Sequence, residues 1–362
     1  MIYINGRFLT QRQTGTQRNA YELTIKLFEF YKDIIILMPN APVNESYDVK
    51  NLPIKKIGFN KSALWEQLDL PYFLISKKHA FLVNLTNTAP VFYSNQLVSI
   101  MDMTVFIDST WFNRRFATYY RWLVPKIVKK SKIVVTISEC SKRDILKFTH
   151  VEESKVKVIN CAVPSKFRSL ANDEYMDYKD LLFKYSIREK QFFLAVSSLD
   201  PRKNFVNLIK GYQQLSTSVP LLIVGSKGKS FNDENLNNYE HNQNIIFTGY
   251  ISDEELVKLY KSALCFVYPS LYEGFGIPPL EAMLCGCPTI VSNTSSMPEV
   301  CGDASIYVDP MDINSITKAM NDVIGDDNLR KNLIEQGYKR VNKFDWSYSA
   351  QQLIKEIEIA IN

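Results

Sequence analysis

Two glutamates, Glu273 and Glu281, frame a glycine loop and a proline pair in the stretch YEGFGIPPLE. The pattern predicts a strand, a loop with Gly274 and Gly276, and a helix that begins at the prolines, which suit a first helical turn. Glycines allow a close backbone approach, and a helix start presents free N–H groups to an anion. The acid pair could serve acid and base catalysis, a metal or hydroxyl recognition. Because a carboxylate repels phosphate, sugar hydroxyls suit both acids best, although for Glu281 alone a favourable helix-start charge is an equal alternative.

Two adjacent cations, Arg202 and Lys203, follow a second predicted strand, FFLAVSS. Cations at the end of a strand can bind a diphosphate, and a solvated charge pair is the alternative. No Asp-x-Asp pattern occurs and the three histidines are scattered, so no metal site and no cofactor are predicted. Gly15, at the start of a helix after the strand Ile2 to Leu9, suggests a second phosphate-approach loop. The absence of a G-x-G-x-x-G pattern argues against a nicotinamide dehydrogenase.

Short apolar runs alternate with helical periodicity along the chain, which predicts α/β architecture with parallel sheets. The pattern stops in the polar segment 164–189 and then restarts, so two domains joined by that segment are predicted. In parallel sheets, ligands bind outside the carboxyl ends of the strands. Predicted strands are Ile34 to Met38, Phe81 to Leu85, Gln96 to Met101, Ile133 to Ile137, Phe192 to Ser197, Leu221 to Val224, Asn244 to Thr248, Leu264 to Tyr268 and Pro288 to Ser292.

Helices are predicted between these strands. Residues 16–30 have apolar residues at helical spacing, Ser252 with Glu255 forms a capping box, and Trp346 to Ile361 is a last amphipathic helix. Asn204 is predicted to cap the helix that follows the two cations.

The composition is that of a soluble globular protein, with 46% apolar and 22% charged residues and a net charge of +5. That charge is too small to favour nucleic-acid binding. No run is long and apolar enough for a membrane span, and the first residues lack a signal-peptide layout, so we expect a cytoplasmic protein. The six cysteines are expected to be small buried hydrophobic residues.

The segment from Trp111 to Lys132 combines aromatic and basic side chains. Such a segment can rest on an anionic membrane surface, here the cytoplasmic face of the inner membrane. A core-packed helix with a solvated face explains the same pattern equally well.

The stretch YEGFGIPPLEAMLCGCPTIVSN, followed by MPEVCGDASIYVDP, resembles the C-terminal signature of the family 4 retaining glycosyltransferases. TGTQRNAYEL, WFNRRFATYYRWLVPKIVKKSKIVVTISECSKRDI, SSLDPRKN and FTGYISDEELVKLYKSA resemble that family in the expected order, over nearly the whole chain. The resemblance implies a GT-B fold with two Rossmann-like domains and a cleft between them. We predict an acceptor-binding domain at 1–168, a nucleotide-sugar-binding domain at 190–345, and a C-terminal helix at 346–362 that packs back on the N-terminal domain.

The resemblance also implies site residues. Glu281 would hold the ribose hydroxyls of a nucleotide sugar, and Asp102 is the polar residue at the reaction centre, preceded by Met101 where related sequences often have histidine. The other implied donor-site residues are Gly15 and the pair Arg202 and Lys203 at the diphosphate, Tyr250 at the base, and Glu273, Gly274, Phe275 and Gly276 at the transferred hexose. Arg202, Lys203 and Glu273 would also take part in catalysis. Acceptor contacts are assigned to Phe112, Arg115 and Ser138.

The implied function is a metal-independent, retaining hexosyltransferase. It would move a hexose or deoxyhexose from a nucleotide-diphosphate donor, such as GDP-mannose, dTDP-rhamnose or a UDP-hexose, to a glycan or lipid-linked glycan in O-antigen or capsule synthesis, part of lipopolysaccharide biosynthesis. Two alternatives stay open: a nucleotide-sugar 2-epimerase on the same fold, and a catalytically inactive sugar-binding scaffold subunit.

Overall fold

The computed structural model describes residues 1–173, 175–225 and 242–361. The chain forms two compact units, and each has its own parallel sheet. The first unit comprises Met1–Ser109, Arg114–Pro164 and Asp345–Asn362, and the second comprises Thr110–Asn113 and Ser165–Phe344.

The sheet of the first unit has seven strands in the order β3-β2-β1-β4-β5-β6-β7, and every neighbouring pair is parallel. The side chains on both faces of its central strands are buried and mostly apolar, as a parallel sheet covered by helices requires. The strands are β1 Ile2–Asn5, β2 Ile34–Pro39, β3 Ile54–Ile57, β4 Phe81–Asn84, β5 Gln96–Ser99, β6 Ile133–Thr136 and β7 Val156–Val158.

Six helices follow the strands of the first unit. The longest, α5, carries Pro125 inside it and buries Leu123, Val124, Ile127 and Val128. A π-helical turn, Trp65–Asp69, joins α2 to α3, and a 3₁₀ helix, Gly6–Thr10, follows β1. The α-helices are α1 Gly15–Phe30, α2 Ser62–Leu64, α3 Leu70–Ile75, α4 Thr104–Ile107, α5 Arg114–Lys130 and α6 Glu139–Thr149.

The sheet of the second unit has six described strands in the order β10-β9-β8-β11-β12-β13, again all parallel. These strands are β8 Phe193–Val196, β9 Leu221–Val224, β10 Ile245–Gly249, β11 Cys265–Tyr268, β12 Thr289–Ser292 and β13 Ile306–Val308. The prediction of two parallel-sheet α/β units is therefore confirmed.

Helices of the second unit are α7 Ser165–Ala171, α8 Lys179–Lys184, α9 Phe205–Gln213, α10 Asp253–Ser262, α11 Ile277–Leu284, α12 Met297–Cys301, α13 Ile313–Gly325 and α14 Asp327–Val341. The expected capping box at the start of α10 is present, with Ser252 and Glu255 bonded reciprocally. The segment that the sequence suggested as an irregular connection instead forms α7 and α8 of this unit. Phe167 of α7 is fully buried and its ring meets that of Tyr260 edge-on at 6.1 Å, which anchors the segment.

The C-terminal helix α15, Trp346–Ile361, packs back on the first unit, as predicted. It lies against α1, and its apolar face buries Ala350, Leu353 and Ile357. The indole of Trp346 donates to the carbonyl of Val163 at 3.0 Å, which fixes the start of the helix.

Three strands were missed by the sequence analysis: β3, β7 and β13. All three lie at sheet edges. Edge strands are short and half exposed, so they lack a continuous apolar run; β3 reads Ile-Lys-Lys-Ile, with both lysines exposed.

Candidate functional site

The strand order of the second unit runs outward from the adjacent pair β8 and β11, with β9 and β10 on one side and β12 and β13 on the other. The loops after two such strands diverge and leave a crevice at their carboxyl ends, where ligands of open α/β sheets bind. Arg202 and Lys203 lie in the loop after β8, and Glu273 in the loop after β11. The residues with the strongest sequence motifs therefore share one edge of one sheet.

Backbone hydrogen bonds join these two loops. The N–H of Leu271 donates to the carbonyl of Arg202 at 2.8 Å, and Nη1 of Arg202 donates to the carbonyl of Tyr272 at 2.7 Å. Asn204 is the N-cap residue of α9, as predicted, but its side chain makes no capping hydrogen bond. Its Nδ2 instead donates to the carbonyls of Pro269 and Pro310, at 3.0 and 2.7 Å.

The carboxylate of Glu273 is bound on both of its oxygens. Oε1 accepts from Nζ of Lys203 at 2.6 Å and from the hydroxyl of Tyr268 at 2.9 Å, while Oε2 pairs with Nη1 of Arg202 at 3.0 Å. Nζ of Lys203 also donates to the Tyr268 hydroxyl at 2.7 Å. We call Arg202, Lys203, Tyr268 and Glu273 the charge cluster.

Burial makes the charge cluster electrostatically strong, since Glu273 is 7% and Lys203 8% exposed. Burial alone would raise the pKa of Glu273, but Arg202 and Lys203 outweigh it and lower that pKa to about 2. Burial and the neighbouring Arg202 lower the pKa of Lys203. A second buried carboxylate, that of Asp200, lies 3.7 Å from Nε of Arg202, so two carboxylates balance the two cations. The positive dipole end of α11 adds to this cluster an environment that suits an anion at the crevice.

Two serines after β12 hold the glycine loop. Oγ of Ser295 accepts from the N–H of Glu273 at 3.0 Å, and Oγ of Ser296 lies 2.9 and 2.7 Å from the carbonyls of Glu273 and Phe275. Gly276 adopts φ +109° at the cap of α11, a conformation that L side chains rarely adopt. The loop backbone next to Gly274 is thus fixed, and α11 begins with its prolines in the first turn, as predicted.

Glu281 is the fifth residue of α11, beyond the first turn in which the sequence analysis placed it. The alternative explanation, a favourable charge at a helix start, loses force because that effect fades within the first turn. Glu281 is 6% exposed, and its Oε2 lies 3.5 Å from the hydroxyl of Tyr260. Burial, and then the Glu281 charge, raise the pKa of Tyr260, so this phenol stays a neutral donor.

The remaining predicted donor residues are peripheral or in the first unit. Tyr250 follows β10 and is 72% exposed. Gly15 begins α1, and a Cβ built there would meet nothing within 4 Å. Asp102 follows β5 and accepts at 2.9 Å from the N–H of Thr104, at the start of α4.

Ser138 is one of the three predicted acceptor residues. It is buried after β6 and caps α6 by accepting from the N–H of Ser141 at 3.0 Å. Phe112 lies in the segment 110–113, which clusters with the second unit, and Arg115 is exposed at the start of α5. The structure therefore does not bring these three residues together within one unit.

Sequence reasoning missed Tyr268, Ser295 and Ser296. Tyr268 is the last residue of β11, the strand that leads into the loop with Glu273. Its place in the sequence already indicated that its side chain could lie near that loop. The serines lie in a run that carries no ligand pattern, and only the fold brings them to the loop.

The six cysteines are all buried, as expected, and no disulfide joins them. Burial raises the pKa of Cys301 to about 12, which keeps its thiol unreactive. Over the described ranges, no group of three or more His, Cys, Asp or Glu side chains is close enough to hold a metal ion. Within the same ranges, no helix has the length and apolar content to cross a bilayer.

Comparison with known proteins finds a family match within the second unit. Residues 177–340 match the family described as Glycosyl transferases group 1. O-antigen chain mannosyltransferase B from Escherichia coli is 29% identical over 266 residues, which cover 71% of this chain and 68% of that protein. Serotype-specific mannosyltransferase WbdA from Escherichia coli is 30% identical over 237 residues, and the match spans 63% of this chain but only 29% of that protein.

The crystal structure of Anabaena HepE in complex with UDP has the same fold, with a TM-score of 0.73, 17% sequence identity and 99% coverage of both chains. This similarity confirms the GT-B fold predicted from the sequence. The matched residues 177–340 contain the whole charge cluster together with Glu281. The candidate site therefore lies within the part of the chain that is similar to the glycosyl transferases group 1 family.

Proposed function

We propose that this protein is a metal-independent, retaining hexosyltransferase of bacterial surface polysaccharide synthesis. It would transfer a hexose or deoxyhexose from a nucleotide-diphosphate sugar to a glycan acceptor, in the O-antigen or capsule class. The observation that carries the proposal is the pair of cations, buried Lys203 and partly buried Arg202, held by Glu273 beside the start of α11. The names of the two mannosyltransferase relatives favour a mannose donor.

The charge cluster explains how the leaving group would be stabilised. Breaking the anomeric C–O bond builds negative charge on the departing diphosphate, and Arg202 and Lys203 would stabilise that charge together with the positive dipole end of α11. No metal is needed in this arrangement. We therefore expect full activity in the presence of EDTA, and loss of activity that Mg²⁺ restores would contradict metal independence.

Glu273 takes a different role from the one first predicted. Since both of its oxygens already bind cations and the Tyr268 hydroxyl, its first task is to hold Arg202 and Lys203 in place. We propose that Glu273 affects the transferred hexose only indirectly, by fixing the glycine loop. The backbone of Phe275 and Gly276 in that loop would lie next to the donor. Retention of configuration is tested by NMR of the anomeric proton in the first-formed product.

Glu281 is proposed to read the ribose hydroxyls, and a thermal-shift screen against GDP-mannose, dTDP-rhamnose and UDP-hexoses tests this directly. Donor binding raises apparent stability by mass action, so one nucleotide sugar should raise the Tm of the wild type. Glu281→Ala should lose that rise. Glu254→Ala, at an exposed position in the first turn of α10, is the control that keeps it. Equal shifts in all three proteins would exclude the assignment.

Peripheral membrane contact is proposed through the first unit, because a lipid-linked acceptor would be met at the inner membrane. In α5, Trp122 is 50% exposed and Nζ of Lys126 lies 4.0 Å from its ring centroid. A second and more exposed apolar face runs along α2, the π-helical turn and α3. Its members are Leu64, Leu68, Tyr72 and Ile75, between 56% and 82% exposed.

Exposed lysines at 56, 61, 77 and 78 flank this second face. Apolar side chains bordered by lysines match an anionic lipid surface. We expect salt-sensitive flotation with phosphatidylglycerol vesicles, weakened by the triple change Leu64→Ser, Leu68→Ser and Ile75→Ser. Phe183→Ser, at an exposed apolar residue of the second unit, is the matched control. Flotation that is unchanged in the triple variant would exclude this face.

A further inference from the structure

A buried polar cluster lies at the carboxyl ends of β1 and β4, the adjacent strands from which the order of the first sheet runs outward. Asn5 is the last residue of β1 and Asn84 the last of β4. Glu66 approaches them from the π-helical turn and is fully buried. This is the first unit's counterpart of the crevice where the charge cluster lies in the second unit.

Glu66 is held on one side by neutral donors. Its Oε1 accepts from Nδ2 of Asn5 at 2.7 Å and from the hydroxyl of Thr88 at 2.9 Å. Nη2 of Arg7 donates to the same Thr88 hydroxyl at 2.9 Å. Three side chains therefore fix the position of the carboxylate before any ligand arrives.

A chain of hydrogen-bonded side-chain amides extends from Asn5 into the core. Nδ2 of Asn5 lies 3.0 Å from Oδ1 of Asn84, whose own Nδ2 donates to Oε1 of Gln96 at 3.1 Å. Gln96 is fully buried and donates onward to the carbonyl of Pro90 at 3.0 Å. A satisfied buried network is rigid, so the groups at its open edge are preorganised.

Nε of Arg7 and Oε2 of Glu66 have no hydrogen-bond partner among the described residues, and neither has the hydroxyl of Tyr119, whose ring packs on the core that contains Ala89, next to Thr88. Each of these atoms is buried. Oε2 of Glu66 lies 3.2 Å from Nη1 of Arg7, an ion pair without hydrogen-bond geometry. Leaving a buried polar group unsatisfied costs about 1–3 kcal/mol, so three together point to a ligand that completes them.

The chemistry of the three atoms defines that ligand. Arg7 offers a donor, Glu66 an acceptor, and Tyr119 a hydroxyl that can do either. An anion would be repelled by Glu66 and a cation by Arg7, whereas a hydroxyl group both accepts and donates. We propose that this cluster is a binding subsite for the hydroxyls of a neutral saccharide, which under the proposed function is the acceptor glycan.

The tyrosines beside the cluster respond to it electrostatically. Burial raises the pKa of Tyr119 and raises that of Tyr120 to about 12, with further contributions from the charges of Glu66 and Arg7. The two rings meet edge-on at 5.9 Å in α5 and pack on the core cluster that contains Ala89, next to Thr88. The side chain of Arg7 remains 13% exposed, so the cluster reaches solvent at its edge.

Tyr119→Phe in the full-length protein tests the proposal. The change removes a hydroxyl without a protein partner, so it should leave Tm unchanged or raise it, while weakening saccharide binding by about tenfold or more. Binding is measured by ligand-observed NMR with the methyl glycosides of mannose, glucose, galactose and N-acetylglucosamine. Arg7→Lys, which keeps the charge and removes Nε, should show the same loss.

Tyr47→Phe is the matched control. Its hydroxyl is also buried without a hydrogen-bond partner in the described structure, but burial alone raises its pKa, with no contribution from Glu66 or Arg7. This variant should bind the glycosides like the wild type. If no glycoside binds the wild type, or if Tyr119→Phe binds as tightly as the wild type, the subsite is excluded. A nucleotide-sugar thermal shift on the same proteins separates this failure from failure of the proposed function, since the shift does not depend on Tyr119.

Discussion

The two sheets each place a partly buried arginine and a buried glutamate at the carboxyl ends of their central strands, yet the two glutamates differ in how they are bound. In the second unit, both oxygens of Glu273 are bound by Lys203, Tyr268 and Arg202. In the first unit, Oε1 of Glu66 accepts hydrogen bonds, Oε2 forms only an ion pair with Arg7, and Arg7 and Tyr119 each keep a buried polar atom without a hydrogen-bond partner among the described residues. The cluster with two cations suits a diphosphate, and the neutral pair of one arginine and one glutamate suits hydroxyls.

The comparison also distinguishes residues that are bonded within the protein from residues that keep an unsatisfied polar group. Residues that are saturated by the protein contribute mainly to stability and to the electrostatic field, so their removal should damage folding as well as activity. Residues with an unsatisfied group contribute to ligand binding, and removing that group should cost the fold little. Stability and binding measured on the same variants therefore distinguish the two clusters.

The largest expected effect is that of Glu273→Ala. The change leaves Lys203, 8% exposed, without the carboxylate it is bonded to, while Arg202 keeps Asp200, and it should lower the free energy of unfolding by about 3–5 kcal/mol. Urea denaturation followed by circular dichroism measures it. Glu254→Ala, which breaks the exposed ion pair with Lys258, should cost less than about 0.5 kcal/mol. Equal costs in the two variants would remove the claim that the charge cluster is a structural unit.

The second effect is a pH dependence of stability. The folded-state pKa of Glu273 is lowered from 4.5 to about 2, so the stabilisation is present above the unfolded-state value and is lost as the pH falls through that window. The loss should amount to about 3 kcal/mol, because one pKa unit corresponds to about 1.4 kcal/mol. The urea midpoints of the wild type and of Glu273→Gln should therefore become more similar as the pH is lowered through this range. Parallel curves would contradict the ion pairing.

Matched tyrosine changes give the third and smaller effect. Tyr268→Phe removes a hydroxyl that accepts from Lys203 and donates to Glu273, so it should destabilise the protein by about 1–3 kcal/mol. Thermal unfolding and urea titration report the change. A neutral Tyr268→Phe would mean that the hydroxyl does not take part in the cluster.

The smallest effect is expected from Tyr119→Phe, within about 0.5 kcal/mol of the wild type or slightly stabilising, because its hydroxyl has no hydrogen bond to lose. The same thermal and urea experiments apply, with Tyr47→Phe beside it. Destabilisation as large as that of Tyr268→Phe would show that Tyr119 is bonded within the fold, and the contrast between the two clusters would disappear.

The parts that could be predicted from the sequence have local causes. Central strands such as β8 and β11 form continuous apolar runs, and the start of α11 is encoded by two prolines. The edge strand β3 could not be predicted, because its two lysines break the apolar pattern. Capping residues were predictable only where both partners are close in sequence, as for Ser252 and Glu255, whereas Asn204 found partners in distant loops.

The site shows the same limit. The residue types of Arg202, Lys203 and Glu281 suggested phosphate and hydroxyl chemistry, but their internal pairing depends on tertiary structure. Lys203 and Glu273 are separated by 70 positions, and the sequence assigned them to different parts of a ligand rather than to each other. Arg7 and Glu66 carried no motif at all. Only the neighbouring positions of β1 and β4 in the sheet bring them together.

Bisubstrate kinetics of the full-length enzyme test the central claim most directly, with the nucleotide sugar that gives the thermal shift and a lipid-linked glycan as acceptor. The two-cluster account predicts that Glu281→Ala raises the KM for donor by about tenfold or more while the acceptor KM is kept, and that Tyr119→Phe does the reverse. If both variants raise the same KM, or if neither changes any kinetic constant, the assignment of donor and acceptor to the two units is contradicted.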